Sequence, residues 1–440
     1  NTANKQLPIG VFDSGTGGLT ILEAIVSLDA FNNITGKPGA DGVKDFEAEY
    51  FQYLADQANM PYGNYASVGK TALLQKHMLH NANFFMNKKQ LPFTKTSVKA
   101  LVLACNTATA YTLDTIKSHI KKIDNSIPVF GVINAGAKAA INSLQKQGSG
   151  TIGIFATVGT VYSNGYVKAL NNLAQELQLK EITTVSQGGF GLAESIDKDL
   201  SFINDTAQQI RNQAQYKGPS LTHKEWRIDT SLLPIYQFNN TANNLICSYD
   251  SKTGNCNEIQ LNQPANYVRY HLVSMIEKMR QEGYQQPLRT LILGCTHYPY
   301  MKDTIQAVLS DLKKIVVNGE KRYDAFIGSE VVLIDPAQET AKEVFQAMFQ
   351  QQLLAKTIKK GSKTNFYITV PAINTPKQHL QADNWFTYSF KYGRNENDEQ
   401  LFVQYIPFDT KWITTDTYQR IAKALPNTYH LIKKQVSPLP

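Results

Sequence analysis

Cysteine is scarce in this 440-residue chain, which contains Cys105, Cys247, Cys256 and Cys295 and no others. Four cysteines are too few for a fold held mainly by disulfides, and none belongs to a C-x-x-C pair typical of structural zinc sites. Long apolar runs are also lacking, because each is interrupted well before the roughly 18 residues that a membrane span needs. We therefore expect neither a disulfide scaffold nor an integral membrane protein.

Concentrated charge is lacking as well. The formal net charge of +8 comes from positive residues that are scattered along the chain, whereas nucleic-acid and membrane surfaces usually have a basic cluster. We expect no nucleic acid and no membrane as a partner. Hydrophobic residues make up 42% of the chain, which is a globular composition, and the length is enough for two or three domains.

Short apolar runs alternate with amphipathic patterns over the first two thirds of the chain. This alternation predicts βαβ units and a parallel sheet, whose buried strands are apolar throughout. The strand candidates are Pro8–Phe12, Ala100–Ala104, Val129–Ile133, Thr151–Phe155, Glu181–Val185, Thr290–Leu293 and Val331–Ile334. The helix candidates are Leu19–Leu28, Lys70–Met86, Ala108–Lys122 and Val161–Leu177.

Three regions interrupt the alternation. Residues 29–48 and 216–262 are polar and turn-rich, and the composition changes again from about residue 351. Long insertions are more often functional or disordered than inert, so we expect a role in access to a site or in oligomerisation, with a homodimer as the candidate assembly. The tail, residues 351–440, is interpreted as an added α+β extension with strand-like runs and one helix at Asn365–Val370, Trp385–Tyr392, Leu401–Ile406 and Thr417–Leu425.

Two apolar strands end in a cysteine followed by small hydrogen-bonding residues. Cys105 begins the sequence CNTAT and Cys295 begins CTHYP, while a third strand ends at Asp13 before a glycine-rich loop. Ligands of open α/β sheets bind beyond the carboxyl ends of the strands. Each cysteine alone would more often be a buried small hydrophobe, but the repeated arrangement favours chemistry. A zinc site of Cys105, Cys295 and His297 would lack a fourth ligand, so we expect no metal.

Four segments carry a resemblance to a known family. They read FDSGTGGLT at residues 12–20, MPYG at 60–63, ACNTATA at 104–110 and GCTHYP at 294–299. In this order they resemble the signature segments of glutamate racemases. The resemblance extends from about residue 8 to about residue 345, interrupted by the insertions, and assigns no counterpart to the tail.

The resemblance implies a fold of two pseudo-symmetric α/β domains with parallel sheets and an active site between them. On this basis the first domain comprises residues 8–131 and 300–350, the second comprises 132–299 with the insertion at 216–262, and the extension comprises 351–440. The implied activity is cofactor-independent racemisation of glutamate. One cysteine removes the α-proton from one face of the substrate, and the other returns a proton to the opposite face.

The resemblance also implies roles for individual residues. Cys105 and Cys295 match the two catalytic cysteines, with Asp13 and His297 as the acid/base residues that assist them. A segment around Glu194 matches loosely a family glutamate near one thiol, although an exposed carboxylate at a helix start is the ordinary alternative. The positions that match substrate-holding residues are Asp13, Ser14, Pro61, Tyr62, Gly63, Asn106, Thr107, Thr296 and His297.

A free thiol has a pKa of roughly 8.5, so only a few per cent is thiolate at neutral pH. Helix N-termini and a nearby proton acceptor raise that fraction, which is why Asp13 and His297 are the candidate groups that tune the two thiols. Aspartate-specific relatives typically carry Glu where His297 stands, so glutamate is favoured. A racemase of aspartate or another acidic amino acid, and a binder that does not catalyse, are the alternatives.

Cys247 and Cys256 lie nine positions apart across a turn-rich stretch. A hairpin disulfide there would favour an oxidising compartment and an exported protein, as would the start of the chain at Asn1 without Met. The family's role in supplying D-glutamate for peptidoglycan, whose precursors are made in the cytoplasm, favours the cytoplasm. We expect a cytoplasmic protein, with export as the alternative that a Cys247–Cys256 bond in native material would favour.

Overall fold

The computed structural model describes residues 5–86, 97–179, 182–250, 252, 256–358, 360–397 and 402–435. Within these ranges, the helices are all too short or too polar to cross a bilayer. The chain divides into two compact units, the first comprising Asn1–Gly136 with Asp335–Pro440 and the second comprising Ala137–Ile334. Both units are mixed α/β structures with parallel strands, which confirms the predicted fold class.

The strands are short and mostly buried. In chain order they are β1 (Ile9–Asp13), β2 (Phe51–Ala55), β3 (Ala100–Leu103), β4 (Val129–Gly131), β5 (Thr151–Ala156), β6 (Thr184–Gly188), β7 (Leu245–Tyr249), β8 (Cys256–Leu261), β9 (Leu288–Gly294), β10 (Val316–Val317), β11 (Glu320–Lys321), β12 (Ile327–Ile334), β13 (Asn365–Pro371) and β14 (Val403–Pro407).

The α-helices alternate with these strands along most of the chain. They are α1 (Leu19–Ser27), α2 (Gly63–Ser67), α3 (Thr71–Met86), α4 (Asn106–Ile123), α5 (Ile133–Gln147), α6 (Val158–Tyr162), α7 (Gly165–Glu176), α8 (Leu192–Ile196), α9 (Leu233–Tyr236), α10 (Pro264–Gln281), α11 (Lys302–Lys314), α12 (Pro336–Gln350), α13 (Tyr388–Gly393), α14 (Thr415–Ala424) and α15 (Pro426–Lys433). Short 3₁₀ turns include Gln57–Asn59 and Tyr298–Met301.

The sheet of the first unit has the order β14-β13-β2-β1-β3-β4. All neighbours are parallel except β13 and β14, which are antiparallel. Strand β1 is central and every one of its residues is buried, as expected for a strand that is covered on both faces. This central position brings the ends of β1 and β3 to the same edge of the sheet.

The sheet of the second unit has the order β12-β9-β5-β6 and is parallel throughout. Strand β9 pairs with both β5 and β12, and its last residue, Gly294, lies opposite Ala156. A Cβ atom at Gly294 would lie 2.6 Å from the Cβ of Ala156, so the close approach of these two strands requires glycine. The next residue along the chain is Cys295.

The predicted domain limits need correction. Residues 300–350 were assigned to the first domain, but α11 and β12 belong to the second unit, where Val332 pairs with Thr290 of β9. The division falls between Gly136 and Ala137 rather than after residue 131. The tail, predicted as a separate extension, extends the first sheet, because Phe366 of β13 pairs with Tyr53 of β2.

Several predicted elements also differ from the structure. Strand β2 was not predicted, since its sequence FQYLA includes a glutamine that is nevertheless buried. The run Trp385–Tyr392, predicted as a strand, contains helix α13, whose start is capped by the Thr387 side chain. The predicted helix Val161–Leu177 is divided at Asn164, which has a φ of 54°. The predicted strand ends Glu181 and Leu401 lie outside the described residues.

The two insertions pack on the units to which they belong. In the segment 29–48, Phe31 stacks on Phe345 of α12 with ring centroids 4.8 Å apart. The Asp45 carboxylate of the same segment accepts a hydrogen bond from the Ala30 N–H at 2.8 Å. In the segment 216–262, β7 and β8 form an antiparallel hairpin in which Cys247 and Cys256 are joined by a disulfide.

Candidate active site

The loop after β1 is built around the carboxylate of Asp13. This side chain is fully buried, and its Oδ2 accepts hydrogen bonds from the Gly18 N–H at 2.8 Å and the Gly15 N–H at 3.3 Å. A Cβ atom at Gly18 would lie 2.4 Å from the Cβ of Asp13, so only glycine lets the loop close around the carboxylate. Ser14, the next residue, is also buried.

Cys105 lies at the same edge of the first sheet as Asp13. Phe12 pairs with Leu103 in the parallel ladder, and the Ala104 N–H donates to the Phe12 carbonyl at 2.9 Å, so Asp13 and Cys105 continue from adjacent strand ends. Cys105 is the residue before α4, its thiol is not part of a disulfide, and the residue is 7% exposed. Backbone N–H groups in a first helical turn favour a nearby negative charge.

Asn106 and Thr107 form the first turn of α4, and both are buried. The segment Pro61–Gly63 lies in the same unit and is buried too. The Tyr62 hydroxyl donates to Asp56 Oδ2 and accepts from Asn81 Nδ2 at 3.0 Å. Burial raises the pKa of Tyr62, and the charges of Asp56 and Cys105 raise it further. The side chain of Tyr62 therefore anchors this segment close to Cys105.

The other thiol has an imidazole beside it. Cys295 Sγ lies 3.8 Å from His297 Nδ1, and His297 Nε2 lies 3.1 Å from Asp197 Oδ2. All three side chains are 5% exposed or less. Since one ring nitrogen faces a carboxylate and the other faces the thiol, the imidazole can carry a proton between its partners.

The charge of His297 is set by competing contributions. Burial lowers its pKa, but the Asp197 carboxylate and the Cys295 thiol raise it by more, so the pKa lies well above the ordinary value of 6.5. The Asp197 carboxylate therefore favours the protonated form of His297. An imidazolium within 4 Å of a sulfur stabilises the thiolate form.

Glu194 lies in α8, three residues before Asp197, and is only 2% exposed. The alternative of an ordinary exposed carboxylate is therefore wrong. Burial raises the pKa of the Tyr298 hydroxyl, and the charges of Cys295 and Glu194 raise it further. Tyr298 thus lies close to both groups, and Thr296 beside it is buried.

The predicted residues fall into two groups, one in each unit. The Cys105 site consists of Asp13, Ser14, Pro61–Gly63, Cys105, Asn106 and Thr107. The Cys295 site consists of Glu194, Asp197, Cys295, Thr296 and His297. Asp197 was missed by the sequence interpretation. Its only sequence signal is that it follows Glu194 in the same short segment, and nothing in one sequence links it to a histidine 100 positions later.

Metal binding finds no support in the part of the chain that the structure describes. Within those ranges, no group of three or more His, Cys, Asp and Glu side chains is arranged to hold an ion. The zinc alternative for Cys105, Cys295 and His297 therefore gains nothing from the structure.

Known proteins that are similar to this chain include several glutamate racemases. No family model matches the chain. A glutamate racemase from a Sulfurihydrogenibium species is 32% identical over 334 residues, covering 72% of this chain and 85% of that protein. The glutamate racemase of Geobacter metallireducens is 26% identical over 364 residues, covering 83% and 88%. Among solved structures, glutamate racemase isoform RacE1 of Bacillus anthracis matches with 26% identity, a TM-score of 0.48, and coverage of 82% of this chain and 88% of that one.

Proposed function

Since the chain belongs to the glutamate racemase family and is an amino-acid racemase of the isomerase class, we propose that Cys105 and Cys295 interconvert L- and D-glutamate as two bases. The thiolate of one cysteine takes the α-proton and becomes a thiol. The thiol of the other cysteine gives its proton to the opposite face of the α-carbon and becomes a thiolate. The configuration is inverted, no atom is gained or lost overall, and the reverse reaction exchanges the two roles.

The observation that carries this proposal is the arrangement of Cys295, His297 and Asp197. The imidazole lies 3.8 Å from the sulfur and is held by a buried carboxylate, as a positioned acid/base group requires. A protonated His297 stabilises the Cys295 thiolate before proton abstraction. It also supplies a proton that keeps Cys295 a thiol when this cysteine has to donate. Glu194 adds a buried acidic group in the same unit.

In the Cys105 site, we assign the roles of His297 and Asp197 to the first turn of α4 and the carboxylate of Asp13. The helix start favours the thiolate, and Asp13 follows the neighbouring strand end as the proton acceptor. Removal of the weakly acidic α-proton is the energetic difficulty of the reaction, because it leaves a carbanion whose negative charge develops on the substrate carboxylate. We assign Ser14, Asn106, Thr107 and Thr296 as the hydrogen-bond donors that hold this charge, with Pro61–Gly63 completing the substrate-holding set.

We assign no cofactor to the reaction, because two thiols supply both proton transfers and the donors above stabilise the intermediate. The biological role proposed is the supply of D-glutamate for peptidoglycan, in the cytoplasm. The Cys247–Cys256 disulfide is the observation that favours the exported alternative, since such bonds persist in oxidising compartments.

The test is chiral chromatography of L- and D-glutamate after incubation with the protein, with both aspartate enantiomers in parallel. We expect interconversion of glutamate in both directions. Cys105→Ser and Cys295→Ser should each lower the rate by roughly 1000-fold or more, because a serine hydroxyl is a far weaker acid than a thiol and does not form the anion that acts as the base. The matched control replaces Cys247 and Cys256 together by serine, which should leave the rate near that of the unmodified protein.

Other outcomes separate the alternatives. Conversion of aspartate without glutamate would make the substrate assignment wrong. Binding of glutamate without exchange of its α-proton for solvent deuterium would leave a binder and contradict the racemase. A serine variant at either catalytic position that still racemises would contradict the two-base mechanism, since each thiol serves one face of the substrate.

A further inference from the structure

Helix α13 of the tail reaches the segment that contains Pro61–Gly63. The ammonium group of Lys391 donates a hydrogen bond to the Met60 carbonyl at 2.6 Å. The hydroxyl of Tyr392, the next residue, donates to the Pro61 carbonyl at 3.0 Å. Two consecutive carbonyls of one segment are thus held by two consecutive side chains that lie about 330 positions later in the sequence.

A third side chain from the same region holds the residue just before this segment. Arg394 Nη2 donates to Asn59 Oδ1 at 2.6 Å, and its guanidinium lies 4.9 Å from the ring centre of Phe386. Lys391 and Arg394 are 5% and 6% exposed. Burying two cations is costly unless they are well paired, so these contacts are a specific feature of the tail and not a solvated surface.

The same segment is also anchored by Asp56. This carboxylate accepts from Asn59 Nδ2 at 3.0 Å and from Thr369 Oγ1 of β13 at 2.6 Å, as well as from the Tyr62 hydroxyl. The ring of Tyr392 also meets that of Tyr65 in α2 edge-on, with centroids 4.8 Å apart. Residues 59–65 are therefore held by several side chains, some of which belong to the tail.

We propose that Lys391 and Tyr392 are positioning residues, which orient Pro61–Gly63 for the substrate. The proposal rests on the proposed function, because that function makes Pro61–Gly63 part of the substrate-holding set. A donor to the Pro61 carbonyl fixes the plane of the Pro61–Tyr62 peptide and hence the direction of the Tyr62 N–H. The donor to the Met60 carbonyl fixes the preceding peptide in the same way. The tail thus acts on catalysis through the segment and does not need to touch the substrate.

The experiment uses the full chain and three variants. Lys391→Met and Tyr392→Phe each remove a single donor while keeping most of the side-chain volume. Asn427→Ala is the matched control, because Asn427 also joins the tail to the rest of the unit, through a hydrogen bond to Glu23 Oε1 at 2.8 Å, with a residue of α1 as the acceptor in place of residues 57–67. Hydrogen–deuterium exchange is followed for the peptides covering residues 57–67, and KM and kcat are measured for both enantiomers of glutamate.

We expect faster exchange in residues 57–67 for Lys391→Met and Tyr392→Phe and unchanged exchange there for Asn427→Ala. The KM values for both enantiomers should rise roughly threefold to tenfold in the two test variants, as the loss of about one hydrogen bond's worth of binding implies. The kcat should change by less than about twofold, because the segment holds substrate and transition state alike.

Unchanged exchange in both test variants would overturn the proposal, and so would faster exchange with unchanged KM, which would leave the tail a structural support only. A rise of KM equal to that of Asn427→Ala would also contradict it. If the unmodified protein racemises no acidic amino acid, the proposed function fails instead, and the exchange measurement still decides whether α13 holds the segment.

Discussion

The Cys105 site and the Cys295 site present a similar thiol in different surroundings. At Cys105 the neighbouring strand end supplies a carboxylate, Asp13, which is held by the backbone N–H groups of Gly15 and Gly18. At Cys295 the neighbouring group is an imidazole, His297, which is held by the carboxylate of Asp197. One assisting group is oriented by donors that do not titrate, and the other is oriented by an ionisable partner.

This difference has consequences for the two directions of the reaction. In the proposed mechanism, each thiol abstracts the α-proton of one enantiomer and reprotonates the carbanion formed from the other, so damage to one site slows one proton transfer in particular. The equilibrium constant between enantiomers is unity, so kcat/KM has to fall equally in both directions. The difference between the sites therefore determines whether the rate is limited by cleavage of the α-carbon–hydrogen bond of L-glutamate or of D-glutamate. Isotope effects with α-deuterated substrates measure this.

The largest effects are expected from removing the assisting groups themselves. His297→Asn and Asp13→Asn should each lower kcat/KM by roughly 100-fold to 10,000-fold, the usual loss for an acid/base group. In His297→Asn, the α-deuterium isotope effect should rise for the enantiomer whose proton Cys295 removes. In Asp13→Asn, it should rise for the opposite enantiomer. Initial rates with α-deuterated L- and D-glutamate measure both.

The comparison would fail if both variants raised the isotope effect for the same enantiomer, since the two groups would then serve one proton transfer. The thermal unfolding midpoints of the variants are compared with that of the unmodified protein to check that the fold is retained. Asn has the size of Asp13 and is smaller than His297, so only a loss of rate with an unchanged midpoint points to the chemistry.

A smaller effect is expected from Asp197→Asn, which keeps His297 but removes its anionic partner. Burial lowers the pKa of His297 and Asp197 raises it by more, so the pKa should fall in the variant. The folded pKa in the unmodified protein lies above the unfolded value of about 6.5. The stabilisation from this pair is therefore fully present below that pH and is lost as the pH rises through the folded pKa.

The free energy of unfolding should accordingly differ between the unmodified protein and Asp197→Asn by about 3 kcal/mol at pH 6 and by clearly less at pH 10. Racemisation should slow by roughly tenfold at neutral pH. The matched control is Asp205→Asn, because Asp205 pairs with Lys198 at 2.9 Å on the exposed surface of the same unit, and such pairs contribute about 0–1 kcal/mol. A difference that does not change with pH would contradict the assigned charge of His297.

Much of the fold follows from local patterns in the sequence. Continuous apolar runs predicted strands such as Ala100–Ala104 and Thr151–Phe155 within one residue of their observed limits. Pattern alone did not predict β2, because Gln52 interrupts its apolar run and is buried only by the tertiary structure. The assignment of α11 and β12 to the first domain rested on the resemblance, and it is wrong because β12 pairs with β9 of the second unit.

Some residues of the candidate site could also be predicted from the sequence, and others could not. The predicted residues around both thiols lie in short segments with recognisable sequences, and the structure places each group in its own unit. Other contacts join residues that are far apart in the sequence. Asp197 contacts a residue 100 positions away, and Lys391 and Tyr392 contact residues about 330 positions away. A single sequence holds no signal for such pairs, because any of its carboxylates or amines would satisfy the same chemistry.

The smallest effect tests how the Cys105 site is held. The Tyr53 hydroxyl donates to the Gly15 carbonyl at 2.7 Å and supports the loop around Asp13. Tyr53→Phe should lower kcat/KM by roughly twofold to fivefold, about what one neutral hydrogen bond is worth. Tyr50→Phe is the control, since it removes a similar bond, to the Gln6 carbonyl at 2.8 Å, away from the loop.

Because the bond at Tyr53 joins a hydroxyl to a backbone carbonyl, the pH profile of racemisation should stay in place in Tyr53→Phe, whereas it shifts in Asp197→Asn. A pH shift in Tyr53→Phe would mean that both thiol sites depend on titrating partners, and the contrast between them would be lost.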